Sequence, residues 1–151
     1  MIRDGKLAHI RAVAEMMRER ALAMGWGEER AEDMFLLGFV HDIGYARQPV
    51  GHAEAGAEIL GRSSYVHAEE VRLHGTYVED PSPELELLWL CDLSVDSRGT
   101  RCDVAGRLSH VEERFGRDSE QFRNVRRIAE HLALRGLIGS ETASTGKENV
   151  V

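Results

Sequence analysis

The stretch Leu36-Leu37-Gly38-Phe39-Val40-His41-Asp42-Ile43-Gly44-Tyr45 decides how this chain is read. An apolar run of helical character ends abruptly in an imidazole and a carboxylate, and a glycine follows. Such a pair is costly to bury unless something neutralises it. One reading is a plain helix end: Asp42 solvated, Gly44 in the left-handed position beyond the cap, His41 near the negative end of the dipole. The other is a pair of ligands for a divalent cation. Neighbouring helical residues point about 100° apart, so both could serve one ion only at a distorted helix end, which Gly44 makes available.

Working outward, helical spacing dominates. Leu7, Ile10, Val13, Ala14, Met17, Ala21 and Met24 form an apolar stripe over residues 6–24, with Asp4 as the expected N-cap and His9 beside the stripe. Gly25-Trp26-Gly27 breaks this helix, and a second runs over 28–42 with its acids first. A loop with Pro49 leads to a short helix over 52–60, whose Ala and Gly residues imply close packing; another spans 65–74 and stops at Gly75. Asp80-Pro81-Ser82-Pro83 is a turn. Residues 84–95 are apolar nearly all round, predicting a central buried helix with Asp92 inside it. Two more helices follow, over 103–115 with Asp103 as N-cap and from Asp118 to about Arg135. No alternating strand pattern occurs. The expected fold is all-α, a compact bundle of six or seven helices over residues 1–139, with 140–151 as a frayed tail.

Bulk properties narrow the function. The 151 residues suit one domain, and the net charge of −7 argues against binding duplex nucleic acid or an anionic membrane surface. An anionic ligand would therefore need a local cation. Cys91 and Cys102 have no metal-type spacing and read as small buried residues of a reducing compartment. With no apolar leader and no membrane-span candidate, the expected location is the cytoplasm.

Four polar residues lie on or beside apolar faces: His9, His41, Asp42 and Asp92. Asp92 is the most informative, since an ionised carboxylate inside such a helix needs a cation or several donors. Two imidazoles and two carboxylates suit iron, manganese, zinc, nickel or cobalt, with water completing the coordination. Among the other histidines, His67 and His74 stand two turns, about 10 Å, apart and cannot share one ion. His67 reads as packing or rim; His110 and His131 read as surface.

The order His9, His41-Asp42, Asp92 resembles the HD-domain superfamily of metal-dependent phosphohydrolases, and His41-Asp42-Ile43-Gly44 matches its hallmark tetrapeptide, with Tyr45 where a lysine is usual. The resemblance spans about residues 7–96. His52-Ala53-Glu54-Ala55-Gly56-Ala57 and Arg72-Leu73-His74-Gly75 are similar to the third- and fourth-histidine segments of the subset with extra histidines. The resemblance implies one or two divalent ions at His9, His41, Asp42 and Asp92, iron first, with Mn, Zn, Ni, Co or Mg as alternatives. It implies that His52 and His74 either hold a second ion bridged by Asp42 or contact phosphate. The small bacterial members that split dinucleoside tetraphosphates symmetrically share this layout.

The chemistry implied is hydrolysis of a phosphate ester or phosphoanhydride in a small phosphorylated metabolite, with a nucleotide foremost. Asp42 would accept a proton from the attacking water, and His52 or His74 would assist the leaving group. Arg98, Asp96 and Arg72 are candidate phosphate contacts, with Arg47 and Lys6 less distinguished; Tyr45, Tyr77 or Trp89 could stack on a base. Three other functions compete: a di-iron oxygenase on the same scaffold, a non-catalytic metal- or ligand-sensing module, and a helical interaction domain without metal. A homodimer is compatible with all of them.

Overall fold

Among the described residues, helical periodicity carries through into seven α-helices and one short 3-10 turn. The computed structural model describes residues 4–46 and 51–139. Arg47 and the expected tail at 140–151 lie outside the described residues, as does the side chain of Tyr45. In chain order the elements are α1 (Asp4–Ala23), α2 (Glu28–Val40), the 3-10 turn Ile43–Ala46, α3 (His52–Arg62), α4 (Ala68–Leu73), α5 (Pro83–Asp92), α6 (Val104–Phe115) and α7 (Glu120–Leu134). The described residues hold no strand; one isolated bridge joins Val95 to Arg101. None of their helices is long and apolar enough to cross a membrane.

α5 is the axis of the molecule. Its apolar side chains divide between two cores. Leu87, Leu88 and Cys91 join Val13, Met17, Met34, Leu37 and Val71 on one side. Leu85, Trp89 and Leu90 join Val104, Leu108, Phe122, Ile128 and Leu132 on the other. This is why its sequence has no polar face: a helix covered on two sides keeps little solvent surface. α1 packs chiefly against α2. Gly38 allows the close crossing, since a methyl group there would lie 2.7 Å from Ala14 Cα. α6 and α7 form a hairpin that closes the second core.

Several boundaries differ from the sequence reading. α1 includes Asp4 in its first turn, so Asp4 is not the cap of this helix. α2 ends at Val40, two residues before the expected Asp42. Gly44 does not adopt the left-handed conformation; it belongs to the 3-10 turn. α3 extends to Arg62, and α4 is shorter than expected. α5 stops at Asp92, because the Val95–Arg101 bridge draws the chain away. α7 is capped by Ser119, whose hydroxyl accepts from the Phe122 N–H, and not by Asp118. Asp103 does cap α6.

His131, expected at the surface, is half-buried. Its Nε2 lies 2.7 Å from Glu86 Oε2, and its ring meets Trp89 edge-on at 5.7 Å. The α5–α7 contact removes it from water. His110 is exposed, and both cysteines are free, Cys91 buried and Cys102 half-buried.

Candidate metal centre

The ends of four helices supply the site. α2 ends in His41 as its C-cap, followed by Asp42. α4 ends in His74 as its C-cap, and α5 ends in Asp92. α3 begins with His52. His9 comes from within α1. Helix C-termini carry partial negative charge, so two carboxylates beside three such ends are electrostatically unfavourable without a cation.

Two groups of ligand atoms result, each with members within 4.8 Å of one another: His9, His41 and Asp92, and His41, Asp42 and His74. His9 Nε2 is 2.9 Å from Asp92 Oδ1. His41 Nε2 is 3.3 Å from Asp92 Oδ1 and 3.2 Å from Asp42 Oδ2. The two oxygens of Asp42 face different ways. Oδ2 addresses His41 and, at 3.7 Å, His9. Oδ1 addresses His52 and His74, both Nε2 atoms at 3.2 Å, with the two imidazoles 3.1 Å apart at Nε2.

Three of the rings are held by backbone carbonyls. His41 Nδ1–H donates to Gly38 O at 2.6 Å, and His74 Nδ1–H donates to Val71 O at 2.6 Å. Each uses a carbonyl three residues earlier, in the last turn of its own helix. His9 Nδ1–H donates to Asp96 O at 2.9 Å, from the loop after α5. With the proton on Nδ1, each Nε2 presents its lone pair to the centre, the tautomer a metal ligand requires.

Two glycines fix these approaches. A methyl group on Gly44 would fall 1.7 Å from the His52 carbonyl oxygen, so only glycine lets the 3-10 turn seat against the start of α3. Gly99, at φ +86°, lies where a methyl group would meet Ala8 backbone at 2.7 Å. That contact brings the 96–101 loop, and with it the Asp96 carbonyl, onto α1 beside His9.

His41 tests whether these residues fit a cation. Its ring is fully buried, yet Nε2 has no hydrogen-bond partner. Both neighbouring carboxylate oxygens are at ion-pair distance but out of line for a bond from this nitrogen. An unpartnered buried nitrogen is costly. A cation lying between the three atoms removes the cost, so the residues fit a metal. The charges agree. Burial opposes ionisation of Asp42 and Asp92, but the facing imidazoles outweigh it and hold both carboxyls well below the usual carboxylate range. Burial likewise opposes an imidazolium at His41, and the two carboxylates outweigh it, raising His41 to about 10. The cluster binds positive charge in one form or another.

The structure thus brings together His9, His41, Asp42, Asp92, His52 and His74. It does not bring the other candidates to the centre in the same way. The Asp96 carboxylate accepts from the backbone N–H groups of Arg98 and Thr100 and shapes its own loop. Arg98 is exposed. The Arg72 guanidinium is engaged by Glu69 at 3.0 Å and lies 3.7 Å from Glu54. Tyr77 stacks on Trp89 and carries Arg127 at 4.2 Å, and Trp89 itself is core.

Residues 7–93 match the family model described as the HD domain, and the chain belongs to that family. HD domains are in general metal-dependent phosphohydrolases. No curated protein and no solved structure matches the chain.

Sequence reasoning missed the three carbonyls that orient the rings, at Gly38, Val71 and Asp96. Two of them had a readable signal: a histidine at the end of a helix can turn back to the carbonyl three residues earlier. The third had none, since Asp96 and His9 are 87 residues apart. Lys6, undistinguished in the sequence, sets its ammonium 3.1 Å from Asp42 Oδ2.

Proposed function

We propose that this protein is a dinuclear metal-dependent hydrolase of phosphate ester or phosphoanhydride bonds in a small phosphorylated metabolite, a nucleotide foremost. The carrying observation is the split of the Asp42 carboxylate, with Oδ2 toward His9 and His41 and Oδ1 toward His52 and His74. One cation would be held by His9, His41, Asp42 and Asp92, and a second by Asp42, His52 and His74. Iron leads among the metals, since a centre of four imidazoles and two carboxylates suits a borderline ion. Such cations lower the pKa of water and offset the charge of a phosphoryl group.

The chain's own residues do the rest. Asp42 would accept a proton from the attacking water, and His52 and His74, through the cation they hold, would offset charge on the leaving oxygen. His52 is the more solvent-exposed of the two, with its side chain 24% accessible against 4% for His74, so it is the better placed for a departing group. The acidic surface turns away duplex nucleic acid and favours a small ligand that meets the centre's cations directly. What points to a nucleotide is the sequence layout around His52 and His74, which resembles that of the symmetrical dinucleoside-tetraphosphate hydrolases.

A di-iron oxygenase would use the same six ligands, and a sensing module would bind metal without turnover. The experiment is a metal count on protein purified without chelator or nickel resin, followed by an anaerobic screen of nucleotides and dinucleoside polyphosphates. About two ions per chain and phosphate release without oxygen are expected. Turnover that needs oxygen would overturn the hydrolase reading, and metal without turnover of any substrate would favour the sensor.

A further inference from the structure

We infer that Asp96 is a positioning residue for the first cation: its carboxylate folds the 96–101 loop so that its carbonyl holds His9 in ligand orientation. The inference rests on the dinuclear reading above and names what sets the affinity of one of the two sites. His9 is gripped at both ring nitrogens by one stretch of chain. Its Nε2 lies 2.9 Å from Asp92 Oδ1, and its Nδ1–H donates to Asp96 O at 2.9 Å. His41 and His74 are turned by carbonyls of their own helices, three residues back, so their orientation is local. The grip on His9 reaches across 87 residues and depends on where the loop lies.

The loop closes around Asp96. Its Oδ1 accepts from the backbone N–H groups of Arg98 and Thr100, both at 2.9 Å. Its own N–H donates to Thr100 O at 2.8 Å, and its carbonyl also accepts from the Gly99 N–H at 3.1 Å. A carbonyl oxygen has two lone pairs, so one serves the turn and the other serves His9. Aspartate suits this place because its short side chain bonds the backbone two residues on. The closed turn is seated on α1. Gly99 lies against the Ala8 backbone, where a methyl group would come within 2.7 Å, and Arg101 pairs with Glu19 further along the helix. The carboxylate is thus committed to backbone N–H groups. What it contributes is the place of one carbonyl, and through that carbonyl the tautomer and aim of His9.

The test is a titration of metal-free protein with cobalt(II), followed by visible absorption, in a His52→Ala parent that keeps only the first site. Asp96→Ala is expected to weaken cobalt(II) binding about tenfold or more, the scale of losing the partner that orients a ligating histidine. Asp96→Asn keeps an oxygen that can accept from Arg98 and Thr100 but carries no charge, and it should bind cobalt(II) nearly as tightly as the parent. Gly99→Ala, which lifts the loop from Ala8, should weaken binding as Asp96→Ala does. Equal weakening in Asp96→Asn and Asp96→Ala overturns the inference, because the loss then follows charge and not the turn. Unchanged affinity in Asp96→Ala or in Gly99→Ala also overturns it and leaves the metal centre standing. A parent that binds no cobalt(II) removes the first site itself, and with it both this inference and the reading beneath it.

Discussion

At the scale of single residues, the site depends on atoms that are costly to bury alone. Asp92 sits at the end of α5 with its carboxylate between His9 and His41. Asp92→Ala should lose the first cation and all turnover, whereas exposed His110→Ala should change neither; elemental analysis of both variants checks this. Retained occupancy in the Asp92 variant would remove that residue from the ligand set. Gly44 makes a sharper test. A methyl group cannot share space with the His52 carbonyl oxygen, so Gly44→Ala must shift the start of α3. The metal count should fall from about two toward one, because His52 moves while His9, His41 and Asp92 do not. An unchanged count would mean that His52 is no ligand.

At the scale of elements, packing and capping decide stability. Leu88 is wholly buried on α5, in the core that includes Val13, Leu37 and Val71. Leu88→Ala should cost about 2–5 kcal/mol, read from the urea midpoint at unchanged slope. The start of α7 separates two neighbouring residues cleanly. Ser119→Ala should cost about 1 kcal/mol by losing the bond to the Phe122 N–H, while Asp118→Ala should stay within about 0.5 kcal/mol. The sequence favoured Asp118, since aspartate and serine are comparably good caps. The choice falls to the residue whose backbone is extended at the helix entrance, and that is Ser119.

At the scale of the whole molecule, α7 is tied to α5 by charge as well as by apolar contact. Burial opposes ionisation of Glu86, but Arg135 and His131 outweigh it and lower its pKa below 4.5. A lowered folded-state value contributes stability above the unfolded pKa and loses it as pH falls through the folded one. The melting-temperature gap between wild type and Glu86→Gln should therefore be full near pH 6 and shrink as pH falls below 4.5. A gap that widened in acid would contradict the assignment. Metal removal acts on the other core. Stripping the cations leaves two carboxylates beside three helix ends, so chelation should lower the melting temperature. At a hundredfold excess of metal over its dissociation constant, one ion stabilises by about 2.7 kcal/mol.

The linear sequence determined the helical class, the burial of α5 and the candidates His9, His41, Asp42 and Asp92, while His52 and His74 came from the family resemblance. Those features are local: helical periodicity, an apolar run without a polar face, and polar residues set where burial is costly. What lay beyond it depended on contacts between distant segments. The chain could not reveal that α5 stops at Asp92, that Gly44 is needed for a close approach and not for a left-handed turn, or that His131 is drawn inward by Glu86. Nor could it separate the two oxygens of Asp42. Local sequence fixes backbone preference and side-chain chemistry, but only tertiary packing sets the distance between His9 and Asp96, or between His52 and Asp42.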